Sequence, residues 1–220
     1  MCGRFAITLP SDAMARLFEA QPANDLPVVP NFNVCPTDPV HSIVSSDTGR
    51  RLLSMRWGFL PHWYKSPTDG PLLINARSET LAEKPAFRDA CQTRRCLIPV
   101  SGFYEWTKDA DGKRLPWFIH TEDSVIAFAG VWQQWDKGDI PMTTCAIVTT
   151  ASNGALSEIH HRMPLRVAPE DWPLWLGEAG KGAARLMTGS SGDVFSFHRV
   201  DPRVNSNRAE GSELIDRLDI

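Results

Sequence analysis

Apolar and polar positions alternate with a period of two through much of the chain, whereas helical spacing is confined to short stretches. A short opening strand is followed by Ser11, placed to cap a helix in which Met14, Leu17 and Phe18 recur at helical spacing. Proline-rich sequence over 22–39 predicts loop. Alternation over 40–44 and 52–57 predicts a hairpin turning at Asp47-Thr48-Gly49. The stretch Trp57-Gly58-Phe59-Leu60-Pro61-His62-Trp63-Tyr64 is aromatic and broken by glycine and proline, which predicts a surface loop. Thr80 and Glu83 fit a capping box that opens a short helix. Residues 95–100 read as buried strand, 103–106 and 116–120 flank an Asp109-Ala110-Asp111-Gly112 turn, and 125–132 and 143–149 are β-rich. Short helices are predicted over 152–159, from Pro169 to Trp175, over 183–187 and over 212–218, with a last strand over 194–200. Many short strands joined by hairpins, without a βαβ rhythm, predict an α+β fold built on antiparallel sheet.

Composition narrows the function classes more than the fold. With 220 residues and no composition break, the chain suits one large domain or two small ones. No apolar run approaches the roughly 20 residues of a membrane span, and the N-terminus lacks a signal-peptide pattern, so a cytoplasmic location is expected. Five cysteines, at 2, 35, 91, 96 and 145, form no CxxC pair, and the six histidines show no HExxH spacing; neither a disulfide framework nor a metal site is expected. A net charge of −3 argues against general polyanion binding. Any nucleic-acid role then rests on a local basic cleft. Eight tryptophans and ten phenylalanines against two tyrosines are expected mainly in the core, with a minority left as stacking platforms.

The stretch with distinctive chemistry is Met1-Cys2-Gly3-Arg4-Phe5. Removal of Met1 would leave Cys2 with a free α-amine beside its thiol. The amine condenses with an aldehyde to an imine, and the thiol then closes a five-membered thiazolidine on the same carbon. An α-amine near pKa 8 is roughly 10% neutral at pH 7, against roughly 0.04% for a lysine near 10.4. The residues alone therefore point to an aldehyde partner. Gly3 permits close backbone approach to a ligand, and Arg4 suits an anion.

Together with Asn33-Val34-Cys35-Pro36, Trp57-Gly58-Phe59, Asn75-Ala76-Arg77-Ser78-Glu79-Thr80, Gly102-Phe103-Tyr104-Glu105-Trp106 and Ile159-His160-His161-Arg162-Met163-Pro164, the N-terminal motif resembles, in order, the motifs of the SRAP family. These are abasic-site processing proteins, also called SOS-response-associated peptidases. The resemblance implies a single domain over 2–220, with a barrel-like, largely antiparallel β core, short flanking helices and no cofactor. It further implies covalent capture of a ring-opened abasic site in single-stranded DNA through Cys2, with AP-lyase activity, autocatalytic removal of Met1 and a monomeric, DNA-associated protein.

Residue by residue, the resemblance gives Cys2 the nucleophile's role and Asn75 that of holding the adduct. Glu105 becomes the acid/base carboxylate, its pKa raised among Phe103, Tyr104 and Trp106. His160 is the second proton-transfer group. Arg4, Arg77 and Arg162 match phosphate-contacting positions, and Trp63 with Tyr64 an aromatic pair that stacks on bases. His161 is expected to be solvated, at least one of Arg94 and Arg95 to be structural, and Trp172 and Trp175 to be packing residues. Cys35 stands where the family more often has alanine, a second thiol near the expected pocket. Two other classes fit parts of the pattern: a glutamine amidotransferase-like hydrolase with an N-terminal nucleophile, and a non-enzymatic single-strand-binding module.

Overall fold

The structure, a computed structural model, describes residues 2–189 and 192–218. Strand β1 (Phe5–Ile7) leads into helix α1 (Ser11–Leu17), β2 (Ala20–Pro22), β3 (Asn31–Val34) and the hairpin β4 (Pro39–Ser46) and β5 (Gly49–Trp57). Then come β6 (Asn75–Arg77), α2 (Arg88–Thr93), β7 (Arg95–Val100), the hairpin β8 (Gly102–Lys108) and β9 (Arg114–His120), and the long strands β10 (Ile126–Trp135) and β11 (Met142–Ala151). Strand β12 (Arg162–Pro164), helix α3 (Trp172–Leu176) and β13 (Ser196–Arg199) complete the chain, joined by single turns of 3₁₀ helix.

One sheet runs in the order β13-β9-β8-β1-β3; the other runs β12-β11-β10-β7-β4-β5-β2. A parallel pairing of β11 with β5, Thr144 opposite Arg56 and Cys145 opposite Trp57, closes five strands of the second sheet into a ring. The remaining parallel contacts are β2 with β5 and β6 with β11. The expected α+β fold with a barrel-like, largely antiparallel core is therefore present. Closure pairs both edges of those five strands, and both faces of the ring are covered: Ile43, Leu52, Leu97 and Ala129 stand in register on one face, Ile98 and Ile147 on the other, and all six are buried. Among the described residues, no helix is long and apolar enough to cross a membrane.

The tryptophans explain much of the packing. Trp57, Trp135 and Trp175 are fully buried, and each indole N–H donates to a backbone carbonyl: Ile74 at 2.9 Å, Tyr64 at 2.8 Å and Cys96 at 2.8 Å, respectively. Each ring buries a large apolar area while its polar atom keeps a partner. Trp172 is buried as well, stacked on Phe18 with ring centroids 4.3 Å apart. Both Trp172 and Trp175 are thus packing residues. Arg95 is structural, its guanidinium donating to Cys91 and Gln92 at the end of α2 and to Trp175 near the end of α3. A cation is favourable at helix C-termini, and here one serves two. Arg94 donates to Gln133 at 2.9 Å.

Several sequence expectations need correction. Ser11 begins α1 rather than capping it; Pro10 holds the cap position, and Ser11 Oγ instead lies 3.2 Å from His41 Nε2. The proline-rich segment contains β3 and the end of β2, because short strands there pair with β1 and β5 despite weak alternation. Thr80 and Glu83 open no α-helix: a 3₁₀ turn spans Ser78–Thr80, and α2 begins at Arg88. The segments predicted helical at 152–159, 183–187 and 212–218 contain 3₁₀ turns, Gly154–Glu158, Ala183–Thr188 and Ser212–Ile215. The aromatic stretch after Trp57 is not a surface loop. Gly58 adopts φ +146°, and the chain turns so that Phe59, Leu60 and Tyr64 pack inward. Only His62 and Trp63 within it are exposed.

Candidate functional site

Cys2 lies where the two sheets meet. It precedes β1, which pairs with β8 through Phe5 opposite Phe103 and so brings Glu105 near. From the barrel side, β6 and β12 both pair with the second half of β11: Asn75 sits opposite Ile147, Arg77 opposite Thr149, and Arg162 opposite Ala151. His160 occupies the turn just before β12. Residues far apart in sequence thus converge because β11 serves as their common support.

Asn75 Nδ2 donates to the carbonyl of Cys2 at 2.8 Å, which fixes the cysteine backbone. Its Oδ1 is buried and meets no donor among the described residues. Glu105 is only 3% exposed, and burial pushes its carboxyl up to about 7. The sequence expectation of a raised pKa at Glu105 is met, with desolvation as its cause. His160 Nδ1 lies 3.9 Å from Glu105 Oε1 and 3.0 Å from both the amide nitrogen and the carbonyl oxygen of Arg162. Burial lowers the pKa of His160, favouring neutral imidazole. Cys2 is fully buried; desolvation and then the neighbouring Glu105 charge push its thiol far above the ordinary range. The thiolate and the ionised carboxylate therefore disfavour one another, and a proton leaving sulfur has a carboxylate close at hand.

A cleft of about 310 Å³ opens over this group, lined by Gly3, Arg4, Glu105, Lys108, Arg114 and His160, with Trp106 on its wall. Larger cavities lie elsewhere: one of about 490 Å³ between residues 28–38 and the tail at 207–211, and one of about 670 Å³ beside α2 and α3. Neither is lined by Glu105 or His160.

The expected DNA contacts divide. Arg77 is exposed, and among the described residues no ion pair engages it. Arg4 Nη1 donates to Asn33 Oδ1 at 2.7 Å and to the carbonyls of Val204 at 2.8 Å and Ser206 at 3.4 Å, so it also pins the C-terminal tail. Arg162 is 9% exposed and forms a two-point ion pair with Glu79, at 2.6 and 2.9 Å, while donating to the carbonyl of Thr149. Its fork is filled by protein. Trp63 is 46% exposed, but Tyr64 is 8% exposed and packs with Leu60 and Trp135. Tyr64 is therefore a core residue, not the second member of a stacking pair. His161 is solvated as expected, its ring stacked on His160 at 4.4 Å. Cys35 is half-buried, with Sγ donating to the Asn33 carbonyl at 3.2 Å. Met1, whose removal is expected, lies outside the described residues.

Sequence reasoning missed Trp106, Lys108 and Arg114 on the cleft wall, and Glu79 as the partner of Arg162. Strand alternation over β8, which puts Trp106 and Lys108 on one face, carried a signal for the first two.

A closed β barrel with a chain terminus, a buried carboxyl and an imidazole gathered at one cleft defines a class of small α+β proteins whose candidate chemistry sits at the N-terminus. A model for the family described as SOS response associated peptidase (SRAP) matches residues 1–207, and the chain belongs to that family. It is 33% identical over 224 residues to the abasic site processing protein YoaM of Bacillus subtilis, covering 98% of each chain. It is 32% identical to the abasic site processing protein YedK of Escherichia coli, covering 98% of this chain and 99% of that one. A crystal structure of a protein from Bacteroides thetaiotaomicron superposes with a TM-score of 0.85 at 22% identity, covering 99% of this chain and 100% of that one; it bears on the fold alone.

Proposed function

We propose that this protein processes abasic sites in single-stranded DNA by covalent capture through Cys2, shielding them during the response to DNA damage. The reading rests on one juxtaposition: the backbone of Cys2 held by Asn75, with Glu105 and His160 facing the same cleft. Relatives sharing about a third of its sequence along nearly their whole length carry the name abasic site processing protein, which supports it.

Removal of Met1, by autocatalytic addition of water across the Met1–Cys2 peptide bond, frees the α-amine of Cys2. The amine then attacks C1′ of the ring-opened sugar, and the carbinolamine loses water to give an imine. Glu105, poised near neutrality, supplies and accepts the protons of these steps. Cys2 Sγ adds to the same carbon while its proton passes, through Glu105, to the ring nitrogen, closing the thiazolidine. Asn75 orients the amine without titrating. If the imine is not trapped by sulfur, loss of a C2′ proton, with His160 as base, expels the 3′ phosphate and gives lyase products. A cleft of about 310 Å³ suits one unpaired nucleotide rather than a duplex. We assign no hydrolysis of other proteins to this site, and expect a monomer acting wherever the DNA is.

The test is incubation with an oligonucleotide carrying a single abasic site, followed by a denaturing gel. A slower band that Cys2→Ala abolishes supports the proposal. No such band from protein verified to lack Met1 refutes it; equal binding of intact and abasic strands without a band would leave only a binding module.

A further inference from the structure

The hairpin β8–β9 sets two cations side by side, and the acidic group that reaches one of them is Glu105: burial raises its carboxyl, and Arg114 partly offsets that rise. Lys108 and Arg114 are direct cross-strand partners in an antiparallel pair, both exposed, both on the wall of the cleft that Gly3, Glu105 and His160 line. Like charges opposite one another in a sheet are destabilising. Among the described residues, no ion pair reaches either one. Acidic groups are near in sequence, at Asp109 and Asp111, but Asp109 Oδ1 is occupied by the backbone amides of Asp111 and Lys113, at 3.0 and 2.8 Å. The arginine is also fixed in place. Its guanidinium lies over the Trp106 ring at 4.4 Å, and the Trp106 indole N–H donates to Asn205 Oδ1 at 2.6 Å. A flat, stacked guanidinium keeps its edge N–H groups available to an anion while losing little freedom on binding.

We infer that Lys108 and Arg114 form a phosphate-binding station at the outer end of the cleft, holding the DNA backbone next to the captured nucleotide and thereby orienting the strand. This rests on the DNA reading above and adds to it two residues that no sequence motif marked. The station complements Arg77: with Arg162 closed by Glu79 and Arg4 engaged with the tail, Lys108 and Arg114 are cations on the cleft wall still open to a phosphate.

The experiment measures non-covalent binding of a fluorescent single-stranded oligonucleotide to Cys2→Ala protein across a series of salt concentrations. Each phosphate contact contributes about 0.7 to the slope of log affinity against log salt for single strands. Lys108→Gln should lower the slope by about 0.7, and Lys108→Gln with Arg114→Gln by about 1.4. Arg114→Lys, which keeps the charge and loses the stacking, should retain the slope. An unchanged slope in the double variant overturns the inference even if affinity falls, because lost stacking or damaged folding alters affinity without altering counterion release. Loss of slope in Arg114→Lys likewise overturns it. Crosslinking by protein with Cys2 intact is scored separately on the abasic oligonucleotide. Full salt dependence without a crosslink sinks the covalent reading and leaves the station; a crosslink with no loss of slope in the double variant sinks only the station.

Discussion

Replacing Glu105 by glutamine should make the protein more stable at pH 8 while removing its covalent activity. The carboxyl moves from an ordinary 4.5 to about 7 in the folded state, and burial is the largest cause. One pKa unit corresponds to about 1.4 kcal/mol, so the folded state loses about 3 kcal/mol relative to the unfolded chain by the time the group is fully ionised. The sign follows from proton counts. Between 4.5 and 7 the folded protein keeps a proton that the unfolded chain has released, so this group's contribution to stability falls as pH rises and is fully lost above about 7. Glutamine is uncharged throughout and removes that slope. Differential scanning calorimetry at pH 5 and pH 8 measures the difference between the two proteins. Little separation is expected at the lower pH; at the higher, the variant should melt roughly 6–12 °C above the wild type if 1 kcal/mol shifts Tm by 2–4 °C. A constant offset across pH, or a wild type more stable at pH 8, would show that the carboxyl is not desolvated in solution.

His41 makes the opposite contribution. Burial pushes its pKa down to about 4, so its share of stability is present above the unfolded value of 6.5 and is lost as pH falls toward 4, by about 3 kcal/mol at most. In the wild type the two slopes oppose each other; Glu105→Gln should expose the acid loss undiluted, and a flat melting profile below pH 6.5 in that variant would contradict the burial of His41. Glu79→Gln should cost about 1 kcal/mol, since the glutamate is half-exposed, and should strengthen binding of single-stranded oligonucleotide by releasing the Arg162 fork toward phosphate. Unchanged affinity in a titration would mean that Arg162 is purely structural. Trp63→Ala should weaken oligonucleotide binding by about 1–3 kcal/mol, the usual worth of one stacked base, whereas Tyr64→Phe should leave it unchanged; equal losses in the two would contradict the burial of Tyr64.

What could be read in advance was local. The β4–β5 and β8–β9 hairpins follow from alternation interrupted by turn residues, and the burial of Glu105 follows from its aromatic neighbours. What could not be read depends on partners remote in sequence. Closure of the barrel rests on a parallel contact between β5 and β11, which leaves no trace in the periodicity of either strand. Tyr64 resembles an exposed aromatic in a loop until Leu60 and Trp135 close over it. Arg162 has the composition of a phosphate ligand, yet Glu79, 83 residues away, occupies its fork. The motifs carried Cys2, Asn75, Glu105 and His160 because each lies in a distinctive local stretch. Lys108 and Arg114 were missed because an exposed cation on a hairpin is ordinary until its register partner is known to be a cation too.

Covalent capture is assigned to one terminal residue, Cys2. Its most direct test is the intact mass of the purified protein before and after exposure to an oligonucleotide with a single abasic site. The expected result is a chain lighter than the full sequence by one methionine, converting to a species heavier by the oligonucleotide minus one water, with the added mass mapping to Cys2. A chain lacking Met1 that gains no mass, or gains it at Cys35 or at a lysine, would contradict it.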